Sequence, residues 1–170
     1  LSVNNERLKK LVPTTDNSNK ALINSSDIFI NNMFNTQNES NYKDVKQAIN
    51  EISTTRFMEK NFKNEHPQYN RPLNTKIYEA KHFIEEANND IDKKEVVITF
   101  KRNIYDIDED KKQGQILTKE LMTVKCFFER NNNKWLISEY DVLGDKEYVD
   151  KWGLINEQIK KELKKIFSTL

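Results

Sequence analysis

Ile116-Leu-Thr-Lys-Glu-Leu-Met-Thr-Val-Lys-Cys-Phe-Phe-Glu-Arg130, then Asn131-Asn-Asn133, then Lys134-Trp-Leu-Ile-Ser-Glu-Tyr-Asp-Val-Leu143 is the stretch that decides the fold. Two runs rich in β-branched and aromatic residues flank a short Asn cluster. Asn tolerates the left-handed backbone angles of a tight turn, and the flanking runs suit a pleated, half-buried surface, so the stretch predicts a β-hairpin. Met122, Val124, Cys126 and Phe128 share one parity, while Leu121 and Phe127 alternate with Thr123, Lys125 and Glu129 on the other. Both faces are partly apolar. That pattern predicts a curved sheet covered by helices on one side and touched by something else on the other.

Upstream, Val96, Ile98, Phe100 and Ile104 form a third strand on one parity. Arg102 interrupts that parity, which predicts a bulge or an Arg that reaches solvent. The connection Asp106–Gly114 is long and charged. Thr75–Ala87 reads as a fourth strand, with Tyr78, Ala80, His82 and Ile84 on one side and Ile77 and Phe83 on the other, followed by the polar turn Asn88-Asn-Asp90. The aperiodic segment Asn64–Pro72 holds two of the three prolines and joins this sheet to a helical half.

In the helical half, residues 1–24 lack apolar periodicity and read as a flexible lead-in or tether. Ser25-Ser26-Asp27 is the expected N-cap of a first helix carrying Ile28, Phe29, Ile30, Met33 and Phe34. Tyr42, Val45, Ala48, Ile49 and Ile52 form the stripe of a second helix, and Thr54 or Thr55 caps a third with Phe57, Met58 and Phe62. Core packing is the expected role of these side chains. Past the sheet, residues 145–170 predict an amphipathic helix capped by Asp145. Its seam is Tyr148, Trp152, Ile155, Ile159, Leu163, Ile166 and Leu170, and its last turns hold Lys160, Lys161, Lys164 and Lys165.

Composition narrows the function. At 170 residues the chain suits one domain with a real core. A net charge of +1 provides no global field toward nucleic acid or anionic membranes. Mean hydropathy of −0.87, with no run near the length of a membrane span, excludes a transmembrane helix within the chain. One cysteine excludes an internal disulfide, and three glycines leave no phosphate cradle.

Asp106-x-Asp108-x-Asp110 opens like a calcium loop, but Lys111 and Leu117 stand where Gly and the bidentate Glu belong, so a solvated hairpin tip is expected. His66 and His82 have no metal-ligand spacing with Cys126. Cys126 reads as an inert buried thiol. The best enzymatic candidate is His82 beside a carboxylate such as Glu139 or Asp141. No catalytic residue, cofactor or metal is assigned.

Helices followed by a bent antiparallel sheet ending in Lys134-Trp-Leu-Ile-Ser-Glu-Tyr140 resemble the nuclear transport factor 2-like superfamily over residues 26 to 144. Within it, the chain is most similar to the VirB-eight-like scaffold domains of type IV secretion and conjugation, in their Lys/Asn-rich low-GC Gram-positive form. The Asn-Pro-x-Gly motif of many Gram-negative members is absent, so no functional residue carries over.

The expected fold is thus α+β: three helices packed into the concavity of a four-stranded antiparallel sheet, plus a C-terminal helix. The resemblance implies a non-catalytic assembly domain of a conjugative transfer channel on the extracytoplasmic side of the cell membrane, with a membrane anchor upstream of residue 1. Partners would be other channel subunits, with self-association open and no direct nucleic acid. Phe127, Trp152, Ile155 and Ile159 are the candidate partner surface. The alternatives are a small-molecule enzyme or binding protein using His82, and a nucleic-acid accessory protein using the basic helix.

Overall fold

In the computed structural model of the chain the backbone is described for residues 2–36, 41–63, 73–85, 90–107, 113–147 and 151–168, and the side chains of these except 2–17, 113 and 151–158. Three helices come first: α1 (Ser2–Met33), α2 (Tyr42–Ile52) and α3 (Thr55–Asn61). Four strands follow, β1 (Leu73–Glu85), β2 (Lys93–Ile107), β3 (Gln113–Asn131) and β4 (Lys134–Glu147), and then α4 (Lys151–Ser168). The strands form one antiparallel meander in the order β1-β2-β3-β4. The expected α+β arrangement, helices then curved sheet then terminal helix, is the arrangement found.

The deciding hairpin forms at the Asn cluster. Asn131 pairs with Lys134, and the two residues between them, Asn132 and Asn133, adopt φ of 50° and 64°. Two successive left-handed residues make the turn whose twist matches that of the flanking strands. A β-branched residue resists this conformation. Asn133→Val is therefore expected to lower stability by about 1–2 kcal/mol, read as a shifted urea midpoint with an unchanged slope.

Register explains the core. Ile84, Val96, Cys126 and Tyr140 form one row across the inner face, and His82, Ile98, Val124 and Val142 form the next. Against them pack Leu22, Phe29 and Ile30 of α1, Tyr42, Val45, Ile49 and Ile52 of α2, and Phe57 of α3. Phe29 sits at the centre, with ring centroids 6.1 Å from Phe34, 6.0 Å from Phe57 and 5.2 Å from Tyr140. Thr54 caps α3 by accepting from the Phe57 N–H at 3.1 Å, and its own N–H donates to the Ile137 carbonyl at 2.9 Å. The helical layer is thereby tied to β4.

Four readings of the sequence are corrected. The first helix does not start at Ser25–Asp27; it runs from Ser2, so residues 2–24 are helical and Leu22 is fully buried. Once Leu22, Ser26, Phe29 and Ile30 dock, extension toward the N-terminus requires only propagation, not a new nucleus. The single parity expected for β1 is broken by a bulge between Tyr78 and Lys81, where Glu79 has φ of 52°. Leu73, Thr75 and Ile77 are partly buried before it, and His82 and Ile84 after it. The terminal helix begins at Lys151, because β4 continues to Glu147 and Asp145 pairs with Met122 rather than capping a helix. Arg102 neither bulges nor reaches solvent; it enters a buried ion pair. Parts of the connections 64–72, 86–89 and 108–112, with His66, Asp108 and Asp110, lie outside the described residues, as do Tyr148 and Leu170.

Candidate functional site

His82 is delivered to the inner face by the β1 bulge, and its ring meets α1. Nε2 lies 2.7 Å from Asp27 Oδ1, with the imidazole largely buried and the carboxylate half exposed. The sequence placed His82 beside Glu139 or Asp141, and neither is its partner. Both residues belong to β4, three strands away, roughly 14 Å across the sheet. Asp141 lies opposite Lys125, and the Glu139 carboxylate approaches Lys60 Nζ at 3.9 Å. His82 and Asp27 therefore act as a clamp between helix and sheet. Between the helices and the sheet, the rings of Phe29, Phe34, Phe57, Phe100 and Tyr140 pack against one another.

The second polar feature of the inner face escaped the sequence reading. Arg102 Nη2 donates to Glu120 Oε2 at 2.5 Å across β2 and β3, and Arg102 Nη1 donates to the Phe34 carbonyl at 3.1 Å. The two side chains are 16% and 11% exposed. Burial pushes the Glu120 carboxyl above the usual carboxylate range, against the lowering effect of Arg102, and the neighbouring Asp145 adds to the rise. A signal was available: Arg102 and Glu120 both stand on the buried parity of their strands, and two charges on one inner row predict a pair.

Phe127 lies on the outer face, in a row with Glu85, Glu95 and Glu139. It is half-buried. Lys125 Nζ sits 5.6 Å from its ring centroid and bridges Glu95 at 2.7 Å and Glu85 at 3.7 Å. The hydrogen bond from Lys125 holds the Glu95 carboxyl low, and the same bond raises the Lys125 ammonium. In the adjacent row Phe83 is 56% exposed beside Val97. The outer face thus offers aromatic surface framed by a network of charges.

Of the remaining candidates, Ile159 is exposed on α4 together with Leu163, Ile166 and Phe167, while the side chains of Trp152 and Ile155 lie outside the described residues. Cys126 is fully buried, and burial pushes its thiol far up, which suppresses the reactive thiolate. Among the described residues no three His, Cys, Asp or Glu side chains gather as a metal site, and no helix is long and apolar enough to cross a membrane.

Fold and surface together define an α+β domain whose sheet is filled by its own helices and whose unspent apolar surface lies on the outer sheet face and on α4. No family model matches the chain, and no curated protein matches it.

Proposed function

We propose that this chain is a nuclear transport factor 2-like, VirB-eight-like scaffold domain of a conjugative type IV secretion channel. It acts on the extracytoplasmic side of the cell membrane through contacts with other channel subunits and performs no catalysis. The observation that supports this reading is the occupied concavity. In this architecture a small-molecule site would need space among Phe29, Phe57, Phe100 and Tyr140, and those rings pack against one another there. The element order and the strand Lys134-Trp-Leu-Ile-Ser-Glu-Tyr140 support the family part of the proposal.

The partner surface assigned to this function is the outer face around Phe127 and Phe83. An exposed aromatic ring flanked by charges combines apolar contact area with a polar rim. The test is mating efficiency. Deleting the gene from a donor strain should abolish transfer, and the wild-type gene should restore it. Phe83→Asp should restore it poorly, because truncating an interface anchor weakens binding about 30-fold or more. Full transfer from the deletion strain would sink the channel reading, and full rescue by Phe83→Asp would sink this choice of surface.

A further inference from the structure

α4 is locally basic in a chain whose charges otherwise nearly cancel. Lys151–Ser168 holds five lysines and two glutamates, whereas the whole chain has a net charge of only +1. At the helical repeat, Ile159, Leu163, Ile166 and Phe167 occupy one arc roughly 100° wide. They are 49%, 45%, 57% and 70% exposed, so about half or more of each side chain faces solvent. Across an open cleft of about 1010 Å³ stand Gly114, Gln115 and Ile116 of β3. Lys160 and Lys164 border the arc on one side with Lys161 beyond them, and Glu162 is the single acid between Ile159 and Ser168.

From this arrangement we infer that α4 is a membrane-surface helix, which lies in the headgroup plane of an anionic lipid bilayer. Charge complementarity selects this occupant. A nucleic acid backbone would answer the lysines but leave Leu163 and Phe167 in water. A neutral apolar groove would cover the stripe but leave the lysines without counter-charge. An anionic bilayer covers both halves, since a basic amphipathic helix buries its apolar face at the acyl boundary while Lys side chains reach phosphate. Low mean hydropathy keeps such a helix on the surface and not across the bilayer, in line with the absence of a spanning segment among the described helices. The inference stands on the residues of α4 and not on the channel reading; vesicle binding and mating efficiency can fail separately.

The test is co-sedimentation of the full chain with vesicles of phosphatidylcholine alone or mixed equally with phosphatidylglycerol, at low and high salt. Binding is expected to the mixed vesicles and to weaken as salt rises. Lys160→Glu with Lys164→Glu should reduce partition by about 25-fold or more, at roughly fivefold per lysine. Leu163→Glu with Phe167→Glu should reduce it at least about tenfold by removing the buried apolar area. Both pairs are exposed on α4, so unchanged far-ultraviolet circular dichroism confirms that the variants fold. Equal binding to neutral and mixed vesicles would overturn the inference, as would undiminished binding by either double variant. Concentration-dependent dimerisation abolished by Phe167→Glu, without vesicle binding, would also overturn it and assign the stripe to a second copy.

Discussion

Phe29→Ala is expected to lower the stability of the fold by about 3–5 kcal/mol, the range for deleting a fully buried aromatic ring. Phe29 has no exposed surface, and its ring is the one that Phe34, Phe57 and Tyr140 all meet edge-on. It therefore joins α1 to α3 and to β4, and no neighbour can collapse into the gap without abandoning another contact. Aromatic pairs add about 0.5–1.5 kcal/mol each beyond area burial, so the loss should lie toward the upper end. Set against a total stability of about 5–15 kcal/mol, this is a large fraction. Thermal melting should fall by roughly 6–20 °C for a chain of this size. Ile28→Ala, one residue earlier at a 41% exposed position, provides the control, with an expected change within about 0.5 kcal/mol. A Phe29→Ala variant as stable as that control would mean that α1 does not dock on the sheet as described.

The same residues show what the sequence made legible. Phe29, Val45, Ile49, Phe57, Val96, Ile98, Phe100, Val124 and Phe128 all occupy the core that their spacing predicts, because periods of 3.6 and 2 record burial directly. The Asn turn was legible for a different reason: few residues accept two consecutive left-handed conformations. The β1 bulge was not legible. Ala80 and Lys81 fit either parity, so a one-residue shift leaves no mark in the pattern. The N-terminal extension of α1 was hidden by Pro13, which lacks an N–H and argues against a helix interior. That local cost is overridden once the helix is nucleated by Leu22, Phe29 and Ile30. The His82 partner was beyond local reading altogether, since Asp27 is 55 residues away and meets His82 only through the docking of α1 on β1.

Breaking the inner ion pair should cost as much as removing Phe29, and for the opposite reason. Arg102 and Glu120 are charges that the fold has taken out of water, and each is tolerable only because the other is there. Arg102→Ala and Glu120→Ala are each expected to destabilise by about 3–5 kcal/mol, since each leaves a buried charge uncompensated. The double variant Arg102→Met with Glu120→Leu should return to within about 1 kcal/mol of the wild type, or exceed it, because apolar side chains of similar volume require no desolvated charge. Arg102 Nε, buried without a hydrogen-bond partner, makes the native pair an imperfect one and favours that outcome. The pH dependence has a definite sign. Burial raises the folded-state pKa of Glu120 above its unfolded value, so across the interval between them the native state binds more protons. The stability contributed by this group is fully present below the unfolded pKa and is lost as pH rises through the folded one. Glu120→Gln removes this titration, so the stability of the wild type relative to that variant should fall with rising pH across the interval. Arg102→Met deprives Glu120 of the neighbour that lowers its pKa, and should carry the fall to higher pH. Urea unfolding at a series of pH values measures both. A wild type that instead gained stability over the variant with rising pH would show Glu120 held below its unfolded value, with the attraction of Arg102 outweighing the burial.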